Sequence, residues 1–230
     1  MSYLKTTAIQ HLNASTPAIN LDANGRVGIG TSSPGHRLHI VDSSSVNYCV
    51  TRFQSDSRTY DFGVGGSSTG SFSNALYVFD VNAGLERFKI DSSGRVTKPY
   101  QPMFRAANSS SNITVTAGQE IMFNSIGYNV GSHYNSSTSR FTCPVSGYYL
   151  FSLHVFDNTN ANVAERRYSF AVNGSGIGQW TKVDDTTKGG SHTSTLIQYL
   201  SAGDFVSVTT GYSNGVFFGG HSFFMGYLLG

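Results

Sequence analysis

The segment from Tyr148 to Phe156 predicts a β-strand with apolar side chains on both of its faces. Successive side chains of a strand point to opposite sides, so residues two apart share a face. One face is wholly apolar and is expected to lie in the core of a β-sandwich: Tyr149, Phe151, Leu153 and Val155. The other face carries Tyr148, Leu150 and Phe156, which would need a second cover. A neighbouring subunit would provide one.

The same two-sided pattern returns near the C-terminus. Between residues 222 and 229, one face carries Phe223, Met225, Tyr227 and Leu229, and the other carries Phe224 and Leu228. Burial of one such aromatic side chain stabilises a protein by ~1.5–3 kcal/mol, and a row of them left in water favours aggregation. We therefore expect an oligomer, with an interface that includes Tyr148, Leu150, Phe156, Phe224 and Leu228.

Composition favours strands over helices. Charged residues make up 12% of the 230 residues, aromatic residues reach 13%, and Gly occurs 26 times. Many β-branched and aromatic residues, separated by turn formers, predict an all-β chain. The net charge of +2 gives only weak attraction to nucleic acid, and no stretch approaches the ~20 apolar residues of a membrane helix. We expect neither nucleic-acid binding nor membrane insertion.

Three regions can be separated along the chain: an anchor and fibre-like β segment over 1–40, a small β stalk module over 41–97, and a head over 98–230. A short repeat marks the first two, because Leu21–Val27 resembles Ile90–Val96. Each copy predicts a strand end, a tight turn with glycine at a positive-φ position, and a new strand. Near the N-terminus, Leu4, Ala8 and Leu12 fit either a short helix or a strand that joins the stalk.

The string NGRVGIGTSSPGHRLHI, from Asn24 to Ile40, resembles a recurrent segment of phage tail-fibre shafts. The later string from Ala75 to Val96 is similar to the next part of such modules. Val27 and Ile29 alternate with glycine, as in a narrow strand where chains approach closely. The resemblance implies an intertwined, fibre-like stalk of three chains.

The head resembles the globular domain of the complement q subcomponent, which shares a ten-stranded jelly roll with the tumour necrosis factor family. Three blocks carry the resemblance, in order and with similar spacing: Asn129–Val155, Ser194–Thr210 and Ser222–Leu229. The second block contains a Leu-x-x-Gly-Asp-x-Val turn at Leu200, Gly203, Asp204 and Val206. The resemblance implies a homotrimer with both ends of the head at one base. The chain has no Gly-X-Y repeat, so its stem is not collagen.

The apex opposite that base is the expected receptor-binding end. By strand counting, its loops run over 157–164, 183–190 and 212–220. Aromatic and polar side chains there suit a glycan or a loop of a surface protein, although polar loops also simply cover soluble sandwiches. The candidate residues are Asn158, Asn160, Asn162, Trp180, Asp184, Asp185, Lys188, Tyr212, Asn214 and Phe217.

Motifs for catalysis are not found. No His-x-x-x-His or Cys-x-x-Cys pattern occurs, and depolymerase tailspikes that cut polysaccharide usually have a much longer β-helix. We expect no enzyme activity and no cofactor. Asp184 and Asp185 form a hypothetical calcium site, since three copies around an axis would concentrate their carboxylates.

The function expected from these features is that of a bacteriophage tail-fibre or spike protein whose trimeric head binds a bacterial surface glycan or outer-membrane protein. The N-terminus would attach to other tail or baseplate proteins. Because residues 2–12 do not resemble a signal peptide, we expect assembly in the host cytoplasm, release in the virion and action at the host surface. The alternatives are a capsid decoration, head fibre or tail connector without receptor binding, and an enzyme that acts on cell-wall glycan.

Overall fold

A computed structural model describes residues 7–9, 18–109, 112–157, 166–183, 190–211 and 215–230, with only the backbone described at 166, 178–183, 215 and 217–218. It divides into two compact units, Met1–Pro99 and Tyr100–Gly230. Among these described residues the regular structure is β-strand, apart from two single-turn 3₁₀ helices at Gly70–Phe72 and Gly219–His221. The predicted all-β class is therefore confirmed.

The first unit holds two sheets. Its strands are β1 (Ala8–Ile9), β2 (Ile19–Leu21), β3 (Val27–Ile29), β4 (Leu38–Ile40), β5 (Tyr48–Gln54), β6 (Thr59–Gly65), β7 (Leu76–Asp80), β8 (Leu85–Ile90) and β9 (Val96–Thr97). The first sheet has the order β1-β2-β3-β4, in which β3 and β4 run parallel. The second is an antiparallel meander in the order β5-β6-β7-β8-β9.

The repeated segment forms the same turn twice. Gly25 and Gly94 have φ of +70° and +79°, as the sequence predicts, since glycine adopts this region without a steric cost. In the first copy, the Asp22 carboxylate accepts hydrogen bonds from the backbone N–H and the Nε of Arg26, at 2.8 and 2.7 Å. In the second copy, Asp91 accepts the same bonds from Arg95, at 3.0 and 2.7 Å. The repeat therefore encodes an Asp–Arg clip across the turn.

The glycines of the fibre-like string allow the chain to approach itself. A Cβ added to Gly28 would lie 2.3 Å from the Thr31 carbonyl oxygen, and one added to Gly30 would lie 2.1 Å from that of Val41. The backbone N–H of Val41 donates to the Ile29 carbonyl at 2.9 Å, beside this contact. The close approach predicted here is thus explained by contacts within one chain.

The second unit, the head, is a sandwich of two sheets. Its strands are β10 (Met103–Ala107), β11 (Asn112–Val115), β12 (Ser125–Val130), β13 (Tyr134–Asn135), β14 (Arg140–Thr142), β15 (Gly147–Asp157), β16 (Arg166–Val172), β17 (Ser175–Val183), β18 (Gly190–Leu200), β19 (Phe205–Thr210), β20 (Gly215–Phe218) and β21 (Phe223–Leu228). One sheet has the order β11-β20-β15-β21-β10-β12, with β18 also paired to β15, and the other has the order β13-β14-β19-β16-β17. The strand count of ten implied by the resemblance stays a prediction.

A single aromatic core joins the two sheets. The predicted core face of β15 is confirmed, because Tyr149, Phe151, Leu153 and Val155 are all buried. The Phe104 ring lies 4.9 Å from the Phe141 ring of the facing sheet and 4.8 Å from Phe224. Edge-to-face and offset pairs of this kind contribute beyond the area that they bury. The core fixes the directions of β15 and β21, and so decides which side chains remain on the outer face.

Candidate receptor-binding end and subunit surface

Several strand ends come together at one end of the head. The ladder pairs nearest this end are Asp157 with Gly190, Arg166 with Val183, and Tyr168 with Thr210. The Tyr168 hydroxyl donates a hydrogen bond of 2.9 Å to the buried Asp157 carboxylate, which belongs to the facing sheet. The pairs on both sheets therefore mark the same end of the sandwich, which we call the apex.

Most of the predicted receptor-binding residues lie outside the described residues. These are Asn158, Asn160, Asn162, Asp184, Asp185, Lys188, Tyr212 and Asn214, the two candidate calcium ligands included. They occupy the segments 158–165, 184–189 and 212–214, which the strand ends of the apex flank. The backbone of Trp180 lies in β17, opposite Ser169.

The predicted third loop, residues 212–220, is wrong in its second half. Gly215–Phe218 forms β20, and Phe217 pairs with Ile113 of β11 and with Asp157. Phe217 is thus a strand residue and not part of a loop. The reason is that Val216, Phe217 and Phe218 favour strands, and β11 offers them a distant pairing partner. Asp157, predicted to begin the first loop, instead ends β15 and is buried.

The ends of the head lie at the opposite end of β15. The backbone N–H of Leu228 donates to the Pro102 carbonyl at 3.0 Å, and that of Tyr148 donates to the Gly230 carbonyl at 3.0 Å. The place where the chain enters the head and the place where it finishes are therefore adjacent. Gly147 begins β15 at this base, whereas Asp157 ends it at the apex.

Polar groups in the turns of the base are well satisfied. The Asp204 carboxylate accepts hydrogen bonds of 2.8 Å from the Asn173 side chain and from the backbone N–H of Ser201. These bonds, first that from Asn173, lower the pKa of Asp204. Gly203 has a φ of +92°, as its place in the Leu-x-x-Gly-Asp-x-Val turn requires. This motif therefore has a structural role in building the base.

The outer face of β15 and β18 carries an exposed apolar surface near the base. Tyr148 and Tyr199 are 56% and 52% exposed, with their ring centroids 5.3 Å apart, and Ile197 is 58% exposed. The side chains of Leu150 and Phe156 are half-buried on the same face. We call Tyr148, Leu150, Ile197 and Tyr199 the outer apolar patch.

Two of the predicted interface residues do not lie on this face. Phe224 and Leu228 are buried in the core, and the register gives the reason. In the ladder of β15 with β21, Leu153 lies opposite Phe224 and Tyr149 lies opposite Leu228. Residues directly opposite in a ladder share a face, so the partners of core residues are core residues.

Three apolar residues of the outer face were missed in the prediction. Tyr227 lies opposite Leu150 in β21 and remains exposed. Ile197 and Tyr199 lie opposite Leu150 and Tyr148 in β18. Alternation along each strand does show which residues share a face, but it does not show which of the two faces of the strand points outward. Only the pairing with β15 supplies that choice.

Toward the apex the outer face becomes more polar. The His154 Nδ1 and the Thr193 hydroxyl form a hydrogen bond of 2.9 Å, and the His154 ring stacks on Phe223 at 5.2 Å. The Arg105 guanidinium lies 4.8 Å from the centre of the same Phe223 ring, which is a favourable cation–π distance. The apolar character of the surface is therefore concentrated at the base.

The described residues show neither a metal centre nor a membrane helix. No group of three or more His, Cys, Asp or Glu side chains gathers in this part of the chain. Among the same residues, no helix is both long enough and apolar enough to cross a membrane.

These features define an all-β sandwich that keeps its two ends at one base. The family model of the C1q domain matches residues 103–229, which is more than half of the chain. The chain therefore belongs to the C1q-domain family. Domains of this family and of the related TNF-like family are typically binding or structural modules without enzyme activity, and they commonly form homotrimers.

Comparison with solved structures finds members of both families. The globular domain of zebrafish complement 1qA is 16% identical over 56% of this chain and 98% of its own, with a TM-score of 0.45. Eiger TNF from S. frugiperda is 13% identical over 58% and 94%, with a TM-score of 0.44. Murine APRIL is 14% identical over 56% and 99%, with a TM-score of 0.45. No curated protein matches the chain.

Proposed function

We propose that this protein is a non-enzymatic bacteriophage tail-fibre or spike protein whose trimeric head binds a receptor on the host surface during adsorption. The observation that carries the proposal is that the head has two different ends. The base holds both ends of the head's chain and the outer apolar patch, and the apex is the opposite end of the sandwich. The resemblance of Asn24–Ile40 to tail-fibre shafts supports the phage assignment.

The outer apolar patch supports a trimer. Tyr148, Ile197 and Tyr199 are large apolar side chains, and each is more than half exposed in one chain. A contiguous apolar surface of this kind usually marks an interface. If three copies share it around an axis, the three bases lie side by side, and the three apices point the same way.

The first unit also presents apolar side chains to water. Ile9, Ile29 and Leu38 are exposed on the strands of its first sheet. Phe53, Phe62 and Val64 are exposed on one face of the meander. They share this face because Phe62 lies opposite Thr51, which is two residues from Phe53 along β5, and Val64 is two residues from Phe62 along β6. Three chains wound about one axis would bury these groups, which supports a trimeric stalk.

The receptor-binding proposal is tested by competition at the host surface. Purified full-length protein is added to susceptible bacteria before the phage, and free phage is counted over time. We expect saturating protein to slow adsorption at least about tenfold, since each receptor it holds is unavailable to the virion. Unchanged adsorption at saturation would overturn the proposal.

The position of the protein in the particle is tested separately by immunogold labelling of virions. Label at the tail tip is expected, since the receptor-binding end of a fibre must reach the cell first. Label on the capsid would overturn the tail assignment and would favour a decoration protein or head fibre instead. In the proposed role the protein is assembled in the host cytoplasm and acts outside the cell.

A further inference from the structure

One face of the meander in the first unit contains a groove of about 480 Å³, a volume within the range of small-ligand sites. Aromatic rings line it, and polar side chains lie at its two ends. The aromatic residues are Tyr48 of β5, Tyr77 and Phe79 of β7, and Phe72 of the Gly70–Phe72 turn. This face is opposite to the face that carries Phe53, Phe62 and Val64, so the groove is separate from the proposed subunit contacts of the stalk.

Glycines in the middle strand bring the aromatic rings together. Tyr48 lies opposite Gly65 of β6, and Tyr77 lies opposite Gly63. Because β6 places no side chain on this face at either position, the rings of Tyr48 and Tyr77 meet across the strand. Their centroids are 6.0 Å apart with an interplanar angle of 84°. One wall of the groove is thus nearly perpendicular to its floor.

A tight turn supplies the second wall and holds it in place. Phe72 packs 4.5 Å from Tyr77 and 5.8 Å from Phe79, centroid to centroid. The turn is anchored by the buried Thr69, whose hydroxyl donates to the Gly66 carbonyl at 2.9 Å. Sites that are fixed by such packing lose little entropy when a ligand binds. The groove is therefore formed before any ligand arrives.

At each end of the groove, two polar side chains form a hydrogen-bonded pair. The Arg52 guanidinium donates to both oxygens of Asp61, from Nε at 2.7 Å and from Nη2 at 2.9 Å. At the other end, the Asn47 side-chain amide donates to the Asp42 carboxylate at 3.2 Å. A guanidinium has five N–H groups and a carboxylate has about four acceptor positions, so both pairs can still bind hydroxyl groups. The charges of Arg52 and Asp61 balance each other, and the Asp42 carboxylate is paired only with a neutral amide, so an anionic ligand is disfavoured.

We propose that this groove binds one or two rings of a neutral saccharide. The ring C–H face of a pyranose fits an exposed aromatic wall, and its equatorial hydroxyls fit the paired carboxylates, guanidinium and amide at the ends. Tyr48 is 45% exposed and offers the open ring, whereas Tyr77 is only 4% exposed and forms the floor. The site is on the first unit, so it is independent of a receptor site at the apex of the head.

The test uses the purified full-length chain and named neutral probes: maltotetraose, cellotetraose, lactose and the tetramer of N-acetylglucosamine. Binding is followed by saturation-transfer NMR and by calorimetry. We expect at least one probe to bind with a Kd of about 0.1–5 mM, as for a small site with few hydrogen bonds. Absence of binding by all four at 10 mM, which is about twice the weakest expected Kd, would overturn the proposal.

Variants assign the binding to the groove. Tyr48→Ala is expected to weaken it at least about tenfold, whereas Tyr48→Phe, which keeps the ring, should retain it within about threefold. Tyr60→Ala removes an exposed tyrosine from the opposite face of the same sheet and should leave binding unchanged. Equal binding by Tyr48→Ala and the wild type would contradict the proposal, as would preference for sialyllactose over lactose. These readouts do not depend on the adsorption assay.

Discussion

At the scale of the residue, Gly226 shows how closely the head core is packed. It lies in β21, between the rings of Phe151 and Phe104. A Cβ added at this position would stand 2.6 Å from the first ring and 2.7 Å from the second. Real Cβ atoms do not approach other atoms so closely, and both rings are buried with no room to move away. The glycine is therefore required by packing and not by a turn.

We predict that Gly226→Ala destabilises the head by about 1–3 kcal/mol, which is the usual cost of overpacking a core. The measurement is the free energy of unfolding in denaturant, followed by the emission of Trp180, the only tryptophan in the chain. The matched control is Gly176→Ala in β17, where an added Cβ meets only the Ser169 hydroxyl, at 3.7 Å. A loss equal to that of the control would contradict the packing argument.

Individual residues also show what the sequence could and could not establish. The core side of β15 was predictable, because four apolar residues alternate without interruption. The orientation of Phe224 and Leu228 was not, because both faces of their strand are apolar and only the ladder with β15 decides between them. The aromatic groove was not predictable either. Tyr48 and Phe72 are far apart in sequence and meet through a 3₁₀ turn that no periodicity marks.

At the scale of the element, the two Asp–Arg clips fasten the turns of the first unit. The backbone N–H of the arginine, together with its guanidinium, lowers the pKa of Asp22 and that of Asp91. The Arg52 side chain lowers the pKa of Asp61. The Arg87 side chain, the first of several donors, lowers the pKa of the buried Asp80. A carboxylate with a lowered pKa stabilises the fold above its unfolded pKa of about 3.9 and loses that contribution as the pH falls through the folded value.

We predict that acid unfolds the first unit before the head. Four described aspartates with a lowered pKa lie in the first unit, whereas Asp204 is the one in the described head. Between about pH 4 and pH 2.5, far-UV circular dichroism should change before Trp180 emission does. The double variant Asp22→Asn, Asp91→Asn should show a smaller change over this range. Simultaneous transitions in the wild type would contradict the prediction.

At the scale of the whole molecule, one chain leaves apolar surface in water. The outer apolar patch of the head is one part of that surface, and its strand partners are defined because β15 and β18 pair along their full lengths. An isolated head would expose the Tyr148–Tyr199 ring pair and Ile197 together. The family to which the head belongs commonly solves this problem by trimer formation, which agrees with the direct argument from burial.

We predict that Ile197→Glu weakens the trimer, because it places a charge in an apolar contact without a partner. The dissociation constant should rise at least about tenfold, equivalent to ~1.4 kcal/mol, as measured by analytical ultracentrifugation over a dilution series. Thr142→Glu is the control, since Thr142 is exposed on β14 in the other sheet. If the dissociation constants of both variants equal that of the wild type, the outer apolar patch is not the interface.

The most direct test of the central claim is the solution mass of the purified wild-type chain, measured by size-exclusion chromatography with light scattering at micromolar concentration. We expect a particle of three chains that is stable on dilution, because trimer formation buries the apolar surfaces of the head and of the stalk. A well-behaved particle with the mass of a single chain would contradict it, since the exposed aromatic side chains would then need no partner.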